Sequence, residues 1–325
     1  MKVIWINHNN KKRDITNFVK SVTWQGSIDQ IARQADIAVL NGVNDKYLQQ
    51  EKVILRNGDI VKLYEGKKEI FEGQVLHTQK QSDAGSVTYN VFDYAYHIAN
   101  STTTKKYKKK KAETITTGLC KEFNIPIGKI APTRKIIKKL IGEDTSVYEL
   151  IMKAYTKAAK VTHKTYIVRM ENKRLNVYEQ GKKVTNFTID EKKNITNISY
   201  EESAESVVNQ VVIYSSKGKR LGVVRNKESI EKFGTFQATY TKEKGTPAVR
   251  AAKQSFADVE KTITVDVIEG NLDCIAGNGV KVHDTSTNLN ALFWIKNDSH
   301  TWENNNHTMT LELSYKKVWD EMEDD

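Results

Sequence analysis

A chain of 325 residues is longer than one hydrophobic core usually serves, so two or three domains are expected. With 38 % hydrophobic and 28 % charged residues, and no apolar run near the roughly 20 residues of a membrane-spanning helix, the composition describes a soluble globular protein and gives no sign of membrane binding. The net charge of +11 is concentrated: residues 105–140 hold twelve Lys and Arg against Glu113 and Glu122, a net +10, so the rest is near neutral and a high average pI does not imply generic nucleic-acid binding.

The opening MKVIWINHNNKKRD has only four consecutive apolar residues and does not read as a secretory signal. Residues 1–100 read as strands: VIWIN, DITNFVKSVTW, ADIAVLNG, DIVKLYEG, EIFEGQVLHTQ and SVTYNVFDY are β-branched or aromatic and mostly alternate. Alternation means one wet face and one buried face, as an antiparallel sheet or barrel requires. Asn57-Gly58-Asp59 supplies turn chemistry. Near residue 100 the period changes. Ile115, Leu119 and Phe123 stand four apart in a helix ended by Asn124-Ile125-Pro126. A second helix follows, with Thr145 or Ser146 as N-cap, Glu149 in its first turn and Tyr148, Ile151, Tyr155 and Ala158 as its stripe. KTYIVRMENKRLNVYEQG reads as a hairpin turning at Glu171 to Lys173. Strands resume near 195, interrupted by one helix over 245–261 with Pro247 in its first turn. The end, DEMEDD at Asp320 to Asp325, reads as a frayed acidic tail.

Two stretches echo each other. NGDIVKLYEGKKEIFEGQVLHTQKQSDAGSVTYNVFDY, from Asn57, and GNGVKVHDTSTNLNALFWIKNDSHTWENNNHTMTLELSY, from Gly277, are both Gly-led three-strand meanders with polar turns at matching places. They imply two related β-domains flanking an α+β unit: 1–100, 101–194 and 195–318, with an acidic tail 319–325.

No catalytic constellation emerges. His300 and His307, with Asp298 and Glu303 nearby, fit no zinc spacing and read as a hairpin with a histidine on each strand. AGNGVKV and SKGKRLG lack the strand–loop–helix setting of a phosphate loop, and neither GxSxG nor HExxH occurs. Pairs such as Glu201-Glu202 suit a solvated edge, and Trp5, Trp24, Phe92, Phe293 and Trp294 suit sheet cores. Cys120 and Cys274, without CxxC spacing, read as buried thiols of a reducing compartment. No enzyme activity, metal or cofactor is expected.

IEKFGTFQATYTKEKGTPAVRAAK, then IEGNLDCIAGNGVKVHDTSTNLNALFWIKNDSHTWENNNHTMTLEL, resembles the baseplate hub proteins of contractile phage tails. The group is the XkdQ-like one of Gram-positive prophages and phage-tail-like bacteriocins, related to the late-control D hub family. VTWQGSIDQIARQADIAVL and GDIVKLYEGKKEIFEGQV resemble that family's first barrel, and VFDYAYHIANS…AETITTGLCKEFNIPIG its middle domain. The resemblance implies a β-rich α+β fold with two tube-like antiparallel β-barrel domains and an inserted α+β domain. It also implies a homotrimer whose six barrels form a pseudo-sixfold ring at the distal end of the tail tube. Implied partners are the tail tube or tube-initiator protein, the tape measure protein, and spike and LysM-bearing hub or baseplate proteins, with DNA only as passing cargo. The setting would be a virion or bacteriocin tail tip made in the bacterial cytoplasm.

The lysine run, TKKYKKKKAETI from Thr104, is denser than the family pattern needs. Its charges repel one another and sit unfavourably beside a helix N-terminus. An extended solvated strand or subunit-rim loop, or a contact with an acidic surface (a neighbouring protein or DEMEDD itself), is expected. The candidate contacts are Lys105, Lys106, Lys108, Lys109, Lys110, Lys111, Arg134, Lys135, Lys138 and Lys139. The alternatives for the whole chain are a nucleic-acid-binding protein using residues 105–140 and a tail-tip cell-wall hydrolase.

Overall fold

The computed structural model describes residues 1–40, 53–80, 85–242 and 247–322. The chain divides into two compact units, one of residues 1–198 with 264–325 and one of residues 199–263.

In the larger unit the first strands are β1 (Lys2–Ile6), β2 (Lys12–Asp14), β3 (Val19–Ser27), β4 (Gln34–Leu40), β5 (Ile60–Glu65), β6 (Lys68–Lys80) and β7 (Ser86–Phe92). Their alternation places one face inward. Ala35, Ile37 and Val39 of β4 pair with Val91, Tyr89 and Val87 of β7, and all six are buried. A one-residue slip would turn this whole set to solvent, so burial fixes the register.

The middle elements are α1 (Ala95–Ala99), β8 (Thr102–Lys111), α2 (Ala112–Glu122), β9 (Ile127–Ile130), β10 (Ile136–Ser146), α3 (Val147–Thr162), β11 (Tyr166–Glu171) and β12 (Arg174–Glu179). The Ser146 side chain caps α3 by accepting from the Glu149 backbone N–H at 3.1 Å. Tyr148, Ile151, Tyr155 and Ala158 are all buried, as the stripe required. β11 and β12 form the expected hairpin, with Asn172 and Lys173 at φ 50° and 60° in its turn. Ile115, Leu119, Leu140, Leu150, Tyr155 and Val177 share the core of this insertion.

The later strands are β13 (Val184–Asp190), β14 (Ile195–Ser203), β18 (Glu260–Val267), β19 (Gly279–Asp284), β20 (Leu289–Glu303) and β21 (Asn306–Ser314); the second unit carries β15 (Gln210–Tyr214), β16 (Arg220–Arg225), α4 (Lys227–Phe233), β17 (Gln237–Thr241) and α5 (Ala248–Gln254). In that unit β15 is central, antiparallel to β16 and parallel to β17, over a core of Val211, Ile213, Val224 and Ala252.

The echo in the sequence is a repeat in the fold. The first set runs β5-β6-β7-β4-β3 across its sheet and the second runs β19-β20-β21-β18-β14, in the same chain order. Turn and bulge match in detail. Gly58 N–H donates to Val75 O at 2.8 Å and Val75 N–H to Asp59 O at 2.8 Å. Gly277 N–H donates to Ile295 O at 2.7 Å and Ile295 N–H to Asn278 O at 3.0 Å. The register then shifts after Val75 in one repeat and after Ile295 in the other. Gly58 and Gly277 both hold positive φ (96° and 89°), which explains the glycine that leads each meander. The second repeat is interrupted between β14 and β18, at the place where the first passes from β3 to β4 within residues 28–33.

The fold is β-rich α+β with mainly antiparallel sheets, as expected. The two sets are not separate barrels, however: β3 of the first pairs with β20 of the second, from Ser21↔Glu303 to Ser27↔Asn297, and merges both into one sheet. Among the described residues no strand path closes into a barrel.

Other details differ from expectation. The helix drawn over 245–261 is only α5, with Pro247 as its N-cap; Ala257 bridges to Val208, and from Glu260 the alternating KTITVDV is strand. Residues 245 and 246 lie outside the described residues. α4 was not foreseen, nor were β9, β10 and β13. The chain end to residue 322 is not frayed. Trp319 and Met322 pack on the insertion core, and Asp320 accepts from the Tyr148 hydroxyl at 2.8 Å. Asp320 is thus committed to α3 rather than to the lysine run; residues 323–325 lie outside the described residues.

Candidate interaction surface: a lysine-faced strand pair

The lysine run is a strand. β8 pairs with β10 antiparallel through Lys111↔Ile136, Lys110↔Ile137, Lys108↔Lys139, Tyr107↔Leu140, Lys106↔Ile141 and Lys105↔Gly142. The apolar side chains explain why so charged a segment folds. Leu140 and Ile137 are buried beneath the helices, and Tyr107 turns its ring to the same core. Lys105, on the Tyr107 side, reaches Glu122 of α2 at 2.8 Å. That carboxylate holds its ammonium above the ordinary lysine range.

The remaining cations face solvent. Lys106, Lys108, Lys109, Lys110, Lys111, Lys135, Lys138 and Lys139 are exposed or nearly so, and none makes an ion pair among the described residues; nor does Arg134. Lys108 and Lys139 stand directly opposite, an arrangement that destabilises a sheet by roughly 0.2–1 kcal/mol. Lys109 sits at φ 50°, unusual for a lysine, and its pairing with Lys138 is missing from the ladder. Arg134, also left-handed (φ 57°), is held by its backbone N–H on Glu113 at 3.3 Å, while Glu113 also accepts from both Thr133 groups. These bonds outweigh burial and keep the Glu113 carboxyl below its usual range. The β8–β10 pair therefore brings eight exposed lysines together and leaves out Lys105. With Tyr107 turned inward, its face has no aromatic platform for stacking bases.

A buried charged joint escaped the sequence reading. Beside the β3–β20 ladder, the Arg33 guanidinium lies 3.8 Å over the Trp24 ring and donates both terminal nitrogens to Asp298. Asp298 also accepts from Ala276 N–H at 2.6 Å. Arg33 belongs to the first repeat and Asp298 to the second. Next to them Asp93 accepts from the backbone N–H groups of Arg33 and Ala95, but full burial pushes its carboxyl up to about 7. Arg169 of β11 donates to Ala276 O and Asn278 Oδ1, both at 3.1 Å, tying the insertion to the second repeat's turn. No motif spacing announces residues 265 positions apart; the sole cue is a charged residue inside an apolar strand pattern.

The expected hairpin with a histidine on each strand is present, turning at Asn304 and Asn305 (φ 51° and 63°). His300 and His307 share a hydrogen bond of 3.1 Å, and His300 Nε2 meets Cys274 O at 3.1 Å. Three of the four ring nitrogens are thus occupied by the fold, and among the described residues no three His, Cys, Asp or Glu form a metal cluster. Burial lowers both imidazoles, His307 to about 4. Cys120 and Cys274 are fully buried free thiols, as expected, pushed up to about 11 and about 12.

The pattern of the YqbQ-like family matches residues 22–314, nearly the whole repeat-and-insertion architecture. The chain belongs to the YqbQ-like family. A relative within reach of this family is the phage-like element PBSX protein XkdQ of Bacillus subtilis, 23 % identical over 313 residues that cover 93 % of this chain and 94 % of the relative. The YqbQ-like fold is shared by the 43 kDa tail protein of prophage MuSo2 from Shewanella oneidensis (TM-score 0.72, 12 % identity, 96 % of this chain and 97 % of that one). It is shared also by a tail protein of Neisseria meningitidis MC58 (TM-score 0.67, 11 % identity, 99 % of both chains).

Proposed function

We propose that this YqbQ-like protein is a structural baseplate hub of a phage-type tail, acting without catalysis, three copies of which form a pseudo-sixfold ring at the distal end of the tail tube. One observation carries the reading. The second repeat's β20 is covered by β19 along its first half and by β3 along its second half. In the first repeat, β5 covers β6 only as far as Gln74, and the matching edge of His77 to Lys80 has no strand partner among the described residues. β14, the counterpart of β3, likewise ends its sheet. One copy thus has both the unfilled edge and the strand that fills it, in the geometry of a head-to-tail contact. Repeated around an axis, such a contact closes a ring, and two repeats per chain let three chains present six similar units. The phage-like-element name of the Bacillus relative and the tail-protein name of the prophage MuSo2 neighbour support the setting.

In this reading the ring meets the tail tube or tube-initiator and tape measure proteins on one side, and the spike and LysM-bearing hub proteins on the other. The exposed lysines of β8 and β10 contact an acidic neighbouring protein on the rim, away from any DNA-conducting lumen, where tight phosphate contacts would stall the passing strand. Cryo-electron microscopy of purified tail-like particles tests it. The expected result is a threefold ring of this chain at the tube's distal end, β14 of each copy lying along β6 of the next. Particles that assemble complete tips without the chain would sink the reading.

A further inference from the structure

We infer that the cleft beside the β11–β12 hairpin is a docking site for an aspartate- and glutamate-bearing segment of a partner protein. The cleft holds about 500 Å³, within the span of peptide and ligand pockets, roughly 300–1,000 Å³. Six cations line it: Lys129, Arg134, Lys164, Arg169, Lys182 and Lys183. The compensating carboxylates are few. Glu179 takes Lys164 (2.9 Å) and Lys182 (3.2 Å), while Glu171 takes Arg169 (3.2 Å) and Lys183 (3.6 Å). The Lys129 and Arg134 side chains have no ion-pair partner among the described residues.

Two buried donors add an independent sign. Tyr166 (1 % exposed) and Arg169 (7 % exposed) both line the cleft, and among the described residues the Tyr166 hydroxyl and Arg169 Nε have no hydrogen-bond partner. Buried donors of this kind are normally satisfied, and an unmet one costs about 1–3 kcal/mol. Arg169 Nε–H can only donate and Lys129 and Arg134 are cations, so the counterpart they lack is an acceptor carrying negative charge, to which the Tyr166 hydroxyl can also donate. A carboxylate meets both requirements, and a planar guanidinium such as that of Arg134 recognises it in two-point fashion. The aromatic chemistry disfavours nucleic acid. Arg169 and Lys183 each lie 5.2 Å from the centroid of the Tyr178 ring and compete with a base for stacking on it. The inference stands whether or not the ring forms, because it concerns the isolated chain.

Fluorescence anisotropy with a labelled hexapeptide of alternating Asp and Glu is the test. The full-length protein should bind it, less tightly as salt rises. Lys129→Gln combined with Arg134→Gln should weaken binding about tenfold or more with the thermal midpoint unchanged. Lys217→Gln with Lys219→Gln, exposed lysines of the smaller unit, should leave the affinity within about twofold. The matching Asn/Gln hexapeptide should not bind. The inference is overturned if the acidic peptide shows no binding at millimolar concentration, or if the cleft double variant binds as the parent does. It is overturned equally if the Asn/Gln peptide binds alike, or if an oligothymidylate of the same charge displaces the probe at a lower concentration.

Discussion

The two repeats share topology, turn and bulge, yet they differ in what surrounds them. In the first, Asp59 of the leading turn serves local donors: Trp5 Nε1 at 2.8 Å, His8 N–H at 3.0 Å and Arg56 N–H at 2.9 Å. In the second, the matching Asn278 takes its bond from Arg169 of the inserted unit. Among the described residues the far edge of the first repeat's long strand has no strand partner, whereas the second's is covered by β3 and anchored by Asp298. Counting from the shared Val75 and Ile295, the residue equivalent to Asp298 is the uncharged Thr78. The second repeat thus receives contacts within the chain that the first, among the described residues, does not.

The sharpest way to break this contrast is at the receiving repeat. Asp298→Ala leaves the Arg33 guanidinium buried and unpaired, and should cost about 3–5 kcal/mol in urea unfolding. Thr78→Ala at the equivalent position should stay within about 1 kcal/mol. A smaller gap is expected at the leading glycines. Ala at 277 must adopt positive φ and also overlap the Ile167 side chain, whereas at 58 the nearest atom, Gln74 Nε2, lies 3.9 Å away. Gly58→Ala should cost about 1–2 kcal/mol and Gly277→Ala visibly more, as read by the thermal midpoint.

Acid separates the repeats too. His307 is held neutral in the fold, at about 4 against 6.5. The unfolded chain takes up its proton first, so this residue's contribution is complete above pH 6.5 and is lost as pH falls toward 4. Asp93, raised to about 7, acts in the opposite sense: protonated in the fold and ionised when unfolded, it favours folding as pH drops from 7 to 4. The clean measurement is therefore a difference. Relative to His307→Asn, the parent should lose about 1–3 kcal/mol between pH 6.5 and 4, a range that allows for the residue's partial exposure. A difference that does not vary with pH would exclude the buried neutral imidazole. The smallest effect is expected on the β8–β10 pair. Lys108→Thr removes the charge facing Lys139 and should raise stability by about 0.2–1 kcal/mol, while salt should narrow that gain.

Much of the fold was legible because its signals were local. Alternation located β4 to β7, a Ser–Glu cap located the start of α3, and repeated turn residues exposed the duplication. What escaped depends on distant partners or on composition that masks pattern. β8 was legible only as an extended solvated segment and its pairing was not, because lysines obscure the one alternating feature, Tyr107, whose partner Leu140 is 33 positions away and opposite it in register. The helix at 248–254 was drawn too long because Ala257 is equally at home in a helix, and only its bridge to Val208 decides otherwise. The Arg33–Asp298 pair could not be read, since nothing in either neighbourhood specifies the other. For the candidate surface, the cluster of lysines was plain in the chain, but which ones would be spent inside the fold was not: Lys105 is taken by Glu122 only because α2 runs beside β8.

The two cysteines give the molecule a pair of internal reporters. Cys120 sits in the inserted helical core and Cys274 in the second repeat, each fully shielded and far too weakly acidic to form thiolate near neutrality. Neither reacts until its own surroundings open. Timed alkylation followed by peptide mass analysis would therefore record two separate opening rates from one unmodified chain, and show whether the insertion loosens before the sheet that carries it.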